Sequence, residues 1–225
     1  MRRIWVTVAL LALLAGSAAR AGTVIINWGD NHLSGFNGGP FKVTFPGGEF
    51  GGSFNTFCLE GGEYIDIGGK YLYEINTFAV HGNNGGQVNI GAPYGNVDYL
   101  SPEAAWLYQT WRNGTLWSTV GQGSGTSSDL KELQNVIWKF EGESVSLGTV
   151  GNALYNYVVN TAKPTSIGLV RVLNLYPWNA QGTINYNNAK QSQLVLIPLP
   201  SAAWAGIGLL VLVVGNEVRR RMSRA

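Results

Sequence analysis

Ser101-Pro102-Glu103-Ala104-Ala105-Trp106-Leu107-Tyr108 is the stretch on which the fold class turns. Serine suits a helix N-cap, proline the first helical position and glutamate the first turn, so a helix opens here and stops near Asn113-Gly114. On either side the chain alternates short apolar-aromatic runs with Gly, Asn and Pro, which is the pattern of strands and turns. Strands are expected over 23–28, 41–45, 53–60, 71–79, 168–176 and 191–197. Two further helices are expected. One begins near Asp129, whose side chain can cap while Glu132 reaches back. It runs to about Glu141-Gly142 with Leu130, Leu133, Ile137 and Phe140 on one face. The other spans about 150–161, with Leu154, Tyr157 and Val158 aligned. Short strands mixed with about three helices make the expected fold class α+β, a single β-rich domain.

Working outward, both ends look like targeting segments. Met1-Arg2-Arg3 precedes residues 4–15, in which only Thr7 is polar, and Ala19-Arg20-Ala21 matches an A-x-A cleavage pattern. Residues 1–21 therefore read as a signal peptide, with mature protein starting at about Gly22. Residues 200–218 are apolar except for Ser201, Asn216 and Glu217, and Arg219-Arg220-Arg221 follows. That is the layout of a transmembrane helix whose basic end, including 222–225, stays cytoplasmic, which leaves residues 22–193 exported.

The formal net charge of +2 belongs to these ends. Only eight of the 15 basic residues, but 12 of the 13 acidic ones, fall within 22–193, so the exported domain carries about −4. No basic stripe for nucleic acid exists there, and none is expected as a partner.

Cys58 is the only cysteine, so an intramolecular disulfide is excluded. It is an inert core thiol, a thiol pairing between molecules, a catalytic nucleophile, or a sulfur held in another bond. The neighbours Phe54, Phe57 and Leu59 favour burial. A nucleophilic cysteine needs a base, and His32 and His81 both lie in polar, loop-like contexts. No Cys or His pair has metal-ligand spacing, so no metal is expected.

The fourth reading rests on two motifs, Thr56-Phe57-Cys58-Leu59-Glu60 and Leu133-Gln134-Asn135-Val136-Ile137-Trp138. Together they resemble the Cys–Gln thioester domains of bacterial surface adhesins, over about 54–143. Trp106-Leu107-Tyr108 and Arg112-Asn113-Gly114-Thr115-Leu116 resemble the stretch of that family just before its glutamine helix. The resemblance maps Cys58 and Gln134 onto the two bonded residues and Ile137-Trp138 onto the family's Ile-Trp pair. Val136 stands where the family prefers Ala. It implies an internal thioester, covered by Phe57, Phe54 and Trp138, that reacts with an amine on a partner and needs no cofactor. Glu60, Glu63 or Tyr64 would accept the amine's proton.

Ile197-Pro198-Leu199-Pro200-Ser201-Ala202-Ala203-Trp204, an apolar helix and the arginine cluster resemble PEP-CTERM sorting signals, in the variant that begins Val-Pro-Leu-Pro-Ala. Pro198, Pro200, Arg219, Arg220 and Arg221 carry that likeness, over 197–221. It implies an exosortase-type sorting enzyme as a partner, in a Gram-negative bacterium that makes exopolysaccharide, with delivery to the cell surface or extracellular matrix.

Two other functions stay open. A non-catalytic matrix module would keep Cys58 as a buried thiol and stack Trp111, Trp117 or Trp178 on sugars. A secreted hydrolase would need paired carboxylates, and Glu60 with Glu63, or Glu141 with Glu143, read equally well as surface charges.

Overall fold

The computed structural model describes residues 22–80 and 87–197. The expected signal peptide (1–21), His81 and the expected sorting signal beyond Ile197, with Pro198, Pro200 and Arg219 to Arg221, lie outside the described residues. Those that are described form a strand-rich α+β domain with two antiparallel sheets.

The main sheet contains β1 (Gly22–Trp28), β2 (Phe41–Thr44), β3 (Ser53–Thr56), β4 (Lys70–Asn76), β8 (Val170–Pro177) and β9 (Lys190–Leu196), in the order β3-β2-β1-β4-β8-β9. Its β-branched and aromatic runs alternate as the pleat requires. In β1, Val24 and Ile26 are fully buried and their neighbours are not. In β8 both faces are buried, Val170 and Val172 toward the helices and Leu173 and Leu175 toward the sheet interior. The two outer strands meet. Just beyond β3 the chain pairs with β9 through a Cys58–Gln193 bridge, with Leu59 N donating to Ser192 O at 2.9 Å and Leu194 N to Phe57 O at 3.0 Å. The sheet thus curls until its edges close, and Cys58 lies on the seam.

The second sheet is small: β5 (Phe78–Val80), β6 (Val88–Asn89) and β7 (Asn96–Tyr99), in the order β5-β7-β6. Neither β6 nor β7 is expected from sequence, and the single strand expected over 71–79 divides into β4 and β5. Asn174 of β8 joins the sheets, accepting from Val80 N and donating to Phe78 O, both at 2.9 Å.

Four helices cover one side: α1 (Pro102–Arg112), α2 (Leu116–Val120), α3 (Ser127–Phe140) and α4 (Thr149–Tyr157), the last running into a π-helical turn over Val158–Ala162. The start of α1 is as expected, with Ser101 Oγ accepting from Ala104 N at 3.1 Å. The start of α3 is a correction. Thr126 is the N-cap, and Asp129 is the third helical residue that bonds back to it in a capping box. Glu132 points elsewhere, accepting from Gly148 N and Gly151 N at the start of α4. Burial pushes the Asp129 carboxyl up, but hydrogen bonds from Ser124 and Thr126 outweigh this and hold it below its ordinary value.

Two apolar clusters result. One packs the helices on the outer face of the sheet, and the other fills the sheet's concave interior. Around the seam, Phe57 and Leu59 belong to the helix-side cluster and Cys58 to the interior one. This alternation follows from extended backbone.

Candidate functional site

The seam brings Cys58 against α3. Gln134 is fully buried at the middle of that helix, between Leu130, Leu133 and Ile137, which pack helix-side, and Trp138, which reaches into the interior cluster with Cys58. The cysteine and the glutamine, 76 residues apart in sequence, are in contact. Cys58 Sγ lies 3.3 Å from Gln134 Oε1. A carbonyl bond is about 1.23 Å long, so the sulfur is within about 4.5 Å of the side-chain carbonyl carbon.

The amide is held at both ends. Gln134 Nε2 donates to Cys58 O at 2.8 Å, while Oε1 accepts from Cys58 N at 3.1 Å and from Gly39 N at 3.0 Å. Two backbone N–H groups converging on one carbonyl oxygen have the form of an oxyanion hole, because they favour negative charge developing there. Gly39 was not singled out from the sequence. The legible signal was Gly38-Gly39-Pro40, a run with no side chain until the proline. A Cβ on Gly38 would come within 2.8 Å of Gln134 Cγ, and one on Gly39 within 3.0 Å of Oε1. Only glycine lets this backbone approach so closely.

Cys58 is fully buried, and that burial pushes its thiol far up from the ordinary value. The backbone N–H groups of Gly39 and Cys58 and the nearby Trp138 indole pull the other way, and the Glu60 carboxylate adds to the rise. As a free side chain the group is a protonated thiol at neutral pH, not a thiolate nucleophile. His32 is not beside it. Its ring stacks on Trp28 at 3.8 Å, and Nε2 bonds Phe36 O at 2.9 Å.

The expected covering residues are divided between the two clusters. Phe57 closes one side, edge-on to Trp111 at 4.7 Å and facing Gly39. Trp138 closes another, with Phe36 tilted against it at 5.7 Å and the Lys131 ammonium over the Phe36 ring. Ile137 packs into the helix-side core, and Phe54 lies in the interior cluster under Arg112. Phe36 and the glycines after it are the additional cover.

The carboxylates depart from the surface-charge expectation. Glu60 and Glu141 are buried, and with Glu63, Asp98 and Glu143 they form an interacting group beside the seam. Burial first, then the Glu60 charge, pushes Glu63 up to about 8. Burial likewise pushes Glu141 up to about 8, although Ser101 bonds its Oε1 through both N–H and hydroxyl. Asp98 rises to about 6, through burial and the Glu143 charge. Among the described residues, no group of three or more His, Cys, Asp and Glu is arranged to hold a metal ion.

Of the tryptophans expected to stack on sugars, Trp111 and Trp117 are half-buried against the helix-side core, and Trp178 is exposed with Lys70 over its ring. Trp28 and Tyr64 are exposed as well, Trp28 at the end of an expected strand and Tyr64 named from sequence only as a proton acceptor. Comparison of the chain with protein-family models, curated proteins and solved structures gives no match.

Proposed function

We propose that this chain is an exported surface or matrix protein that joins Cys58 and Gln134 in an internal thioester and uses it to capture an amine covalently. The observation that carries the reading is the Cys58 sulfur in contact with a Gln134 carbonyl whose oxygen sits between two backbone N–H groups. In forming the bond, the sulfur adds to the amide carbon while Gly39 N–H and Cys58 N–H hold the oxyanion. The C–N bond then breaks, and ammonia leaves with the thiol proton. In the second step an amine nitrogen adds to the same carbon and the C–S bond breaks. The sulfur regains a proton, and an N-substituted glutamine remains at position 134. No cofactor takes part.

Burial suits such a bond. A thioester is neutral and loses little on leaving water, whereas the thiolate released from it would be strongly disfavoured here. Water is excluded by Phe57, Trp138 and Phe36, which slows hydrolysis. The Glu60 charge acts on Cys58, and Glu60, or Glu63 in its ionised form, would take the proton of an incoming amine.

The same hydrogen bonds also suit a second reading, a non-covalent matrix-binding module in which Gln134 is a satisfied structural amide and Cys58 a core thiol. Methylamine separates the two. On the first reading it attaches at Gln134 and frees one thiol at Cys58. On the second, neither residue changes. Export and exosortase-type sorting through residues 197–221 are part of the proposal, supported by the sequence pattern of the two ends.

A further inference from the structure

Beside the seam lies a cleft of about 190 Å³ whose walls include Trp28, Asn37, Phe41, Glu63, Tyr64 and Gln191. Its volume is well below that of a site for a drug-sized ligand and is on the scale of one sugar ring. Trp28 is 42% exposed and Tyr64 76% exposed, although both are large aromatic rings that folding ordinarily covers. Trp28 is also held in place, its ring stacked with His32 at 3.8 Å and with Phe41 at 5.4 Å. The exposed Tyr64 ring, with the exposed part of Trp28 in the same lining, is a stacking surface for the apolar face of a pyranose.

The polar wall is acidic and amide-bearing. Glu63 Oε2 is buried with no hydrogen-bond partner among the described residues, and the Glu60 and Glu143 charges act on Glu63, opposed by the Lys190 ammonium. Asn37 and Gln191 supply amide groups suited to ring hydroxyls.

Two residues of the lining link the cleft to the Cys58–Gln134 pair. Asn37 directly precedes Gly38 and Gly39, which press on the Gln134 side chain. Gln191 Nε2 donates to Glu60 O at 2.9 Å, two residues beyond Cys58.

We infer that this cleft is a binding site for an amino sugar, a hexosamine residue with a free primary amine, and that it delivers that amine to the Gln134 carbonyl. The delivery step rests on the thioester reading, while the binding step does not. Stacking on Trp28 and Tyr64 selects a ring, and the carboxylates select an ammonium over a neutral acetamide. Glu63, whose proton affinity burial raises to about 8, is matched in its ionised form to deprotonating the amine. Attack then leaves an amide between the sugar nitrogen and Gln134 and a thiol at Cys58, with no other reactant.

Two measurements keep binding and delivery apart. For binding, the probe is a tetramer of unacetylated glucosamine titrated onto full-length protein carrying Cys58→Ala, in which no thioester exists. Adding Trp28→Ala, Tyr64→Ala or Glu63→Gln is expected to weaken binding at least tenfold, and the N-acetylated tetramer should bind at least tenfold more weakly. Tyr64 is so exposed that its removal leaves the fold intact. Absence of binding, indifference to Tyr64→Ala, or equal binding of tetralysine overturns the amino-sugar assignment, the last in favour of a peptide amine. For delivery, glucosamine and methylamine are compared as labels of Gln134 in the unsubstituted protein. The glucosamine-to-methylamine rate ratio is expected to fall at least tenfold with Tyr64→Ala. An unchanged ratio overturns delivery while leaving the thioester standing, and labelling by neither amine removes the thioester while the binding result stands by itself.

Discussion

Gly39→Ala tests the cradle around the Gln134 carbonyl at its tightest point. The new methyl would lie 2.9 Å from Phe57 Cδ1, 3.0 Å from Gln134 Oε1 and 3.0 Å from Thr56 O. Two of these neighbours cannot yield freely. Thr56 O belongs to the end of β3, and Oε1 is fixed by its bonds to Cys58 and Gly39. Overpacking of this kind costs about 1–3 kcal/mol. The displaced Gly39 N–H would also leave the carbonyl with one backbone donor in place of two, and losing one such donor slows acyl transfer by about 10²–10³-fold. Gly61→Ala is the control, since the nearest atom to its added methyl is 3.5 Å away, in ordinary contact with Trp138. Denaturant unfolding should place Gly39→Ala below the parent by the stated amount and Gly61→Ala near it. The time course of ammonia loss after synthesis should be slowed only in Gly39→Ala. If the two variants unfold alike and lose ammonia at the parental rate, the cradle plays no part.

Phe36→Ala should open the cover over Gln134 and raise the rates of both methylamine labelling and spontaneous hydrolysis, read by thiol titration, while rates unchanged from the parent would show that Phe36 shields nothing. Stability should fall as pH rises from about 4.5 to about 8, because folded Glu141 and Glu63 bind protons up to about 8 whereas unfolded glutamates release them near 4.5. Glu141→Gln should flatten that slope in thermal melts across the range, and an unaltered slope would place the linkage elsewhere. Deleting residues 200–225 should release the protein from membranes into the soluble fraction, with continued retention contradicting an anchor there.

What the sequence made legible was local or helical. The Ser101-Pro102-Glu103 start fixed α1 to the residue, since an N-cap is a property of four consecutive positions. The α3 cap was misplaced by three residues because Asp129 is a fair cap in isolation. Thr126 wins since its hydroxyl accepts from Asp129 N while Asp129 bonds back to Thr126 N. Cys58 and Gln134 were paired by motif, and the fold puts them in contact. The reason for that contact was not legible. It depends on Cys58 pairing with Gln193, 135 positions away, which no local pattern announces. The burial of Glu60 and Glu141 was hidden for the same reason, because both are buried by elements remote in sequence. Gly38-Gly39 could be read as a turn, but its role as backbone donor to a helix side chain follows only from the tertiary approach.

The most direct test is the intact mass of the purified protein beside that of Cys58→Ala, prepared identically so that processing at either end cancels. The account predicts that the unsubstituted protein is lighter than its sequence requires by one ammonia, that Cys58→Ala shows no such deficit, and that no thiol is titratable until an amine is added. A full mass together with a titratable Cys58 thiol on unfolding would contradict it.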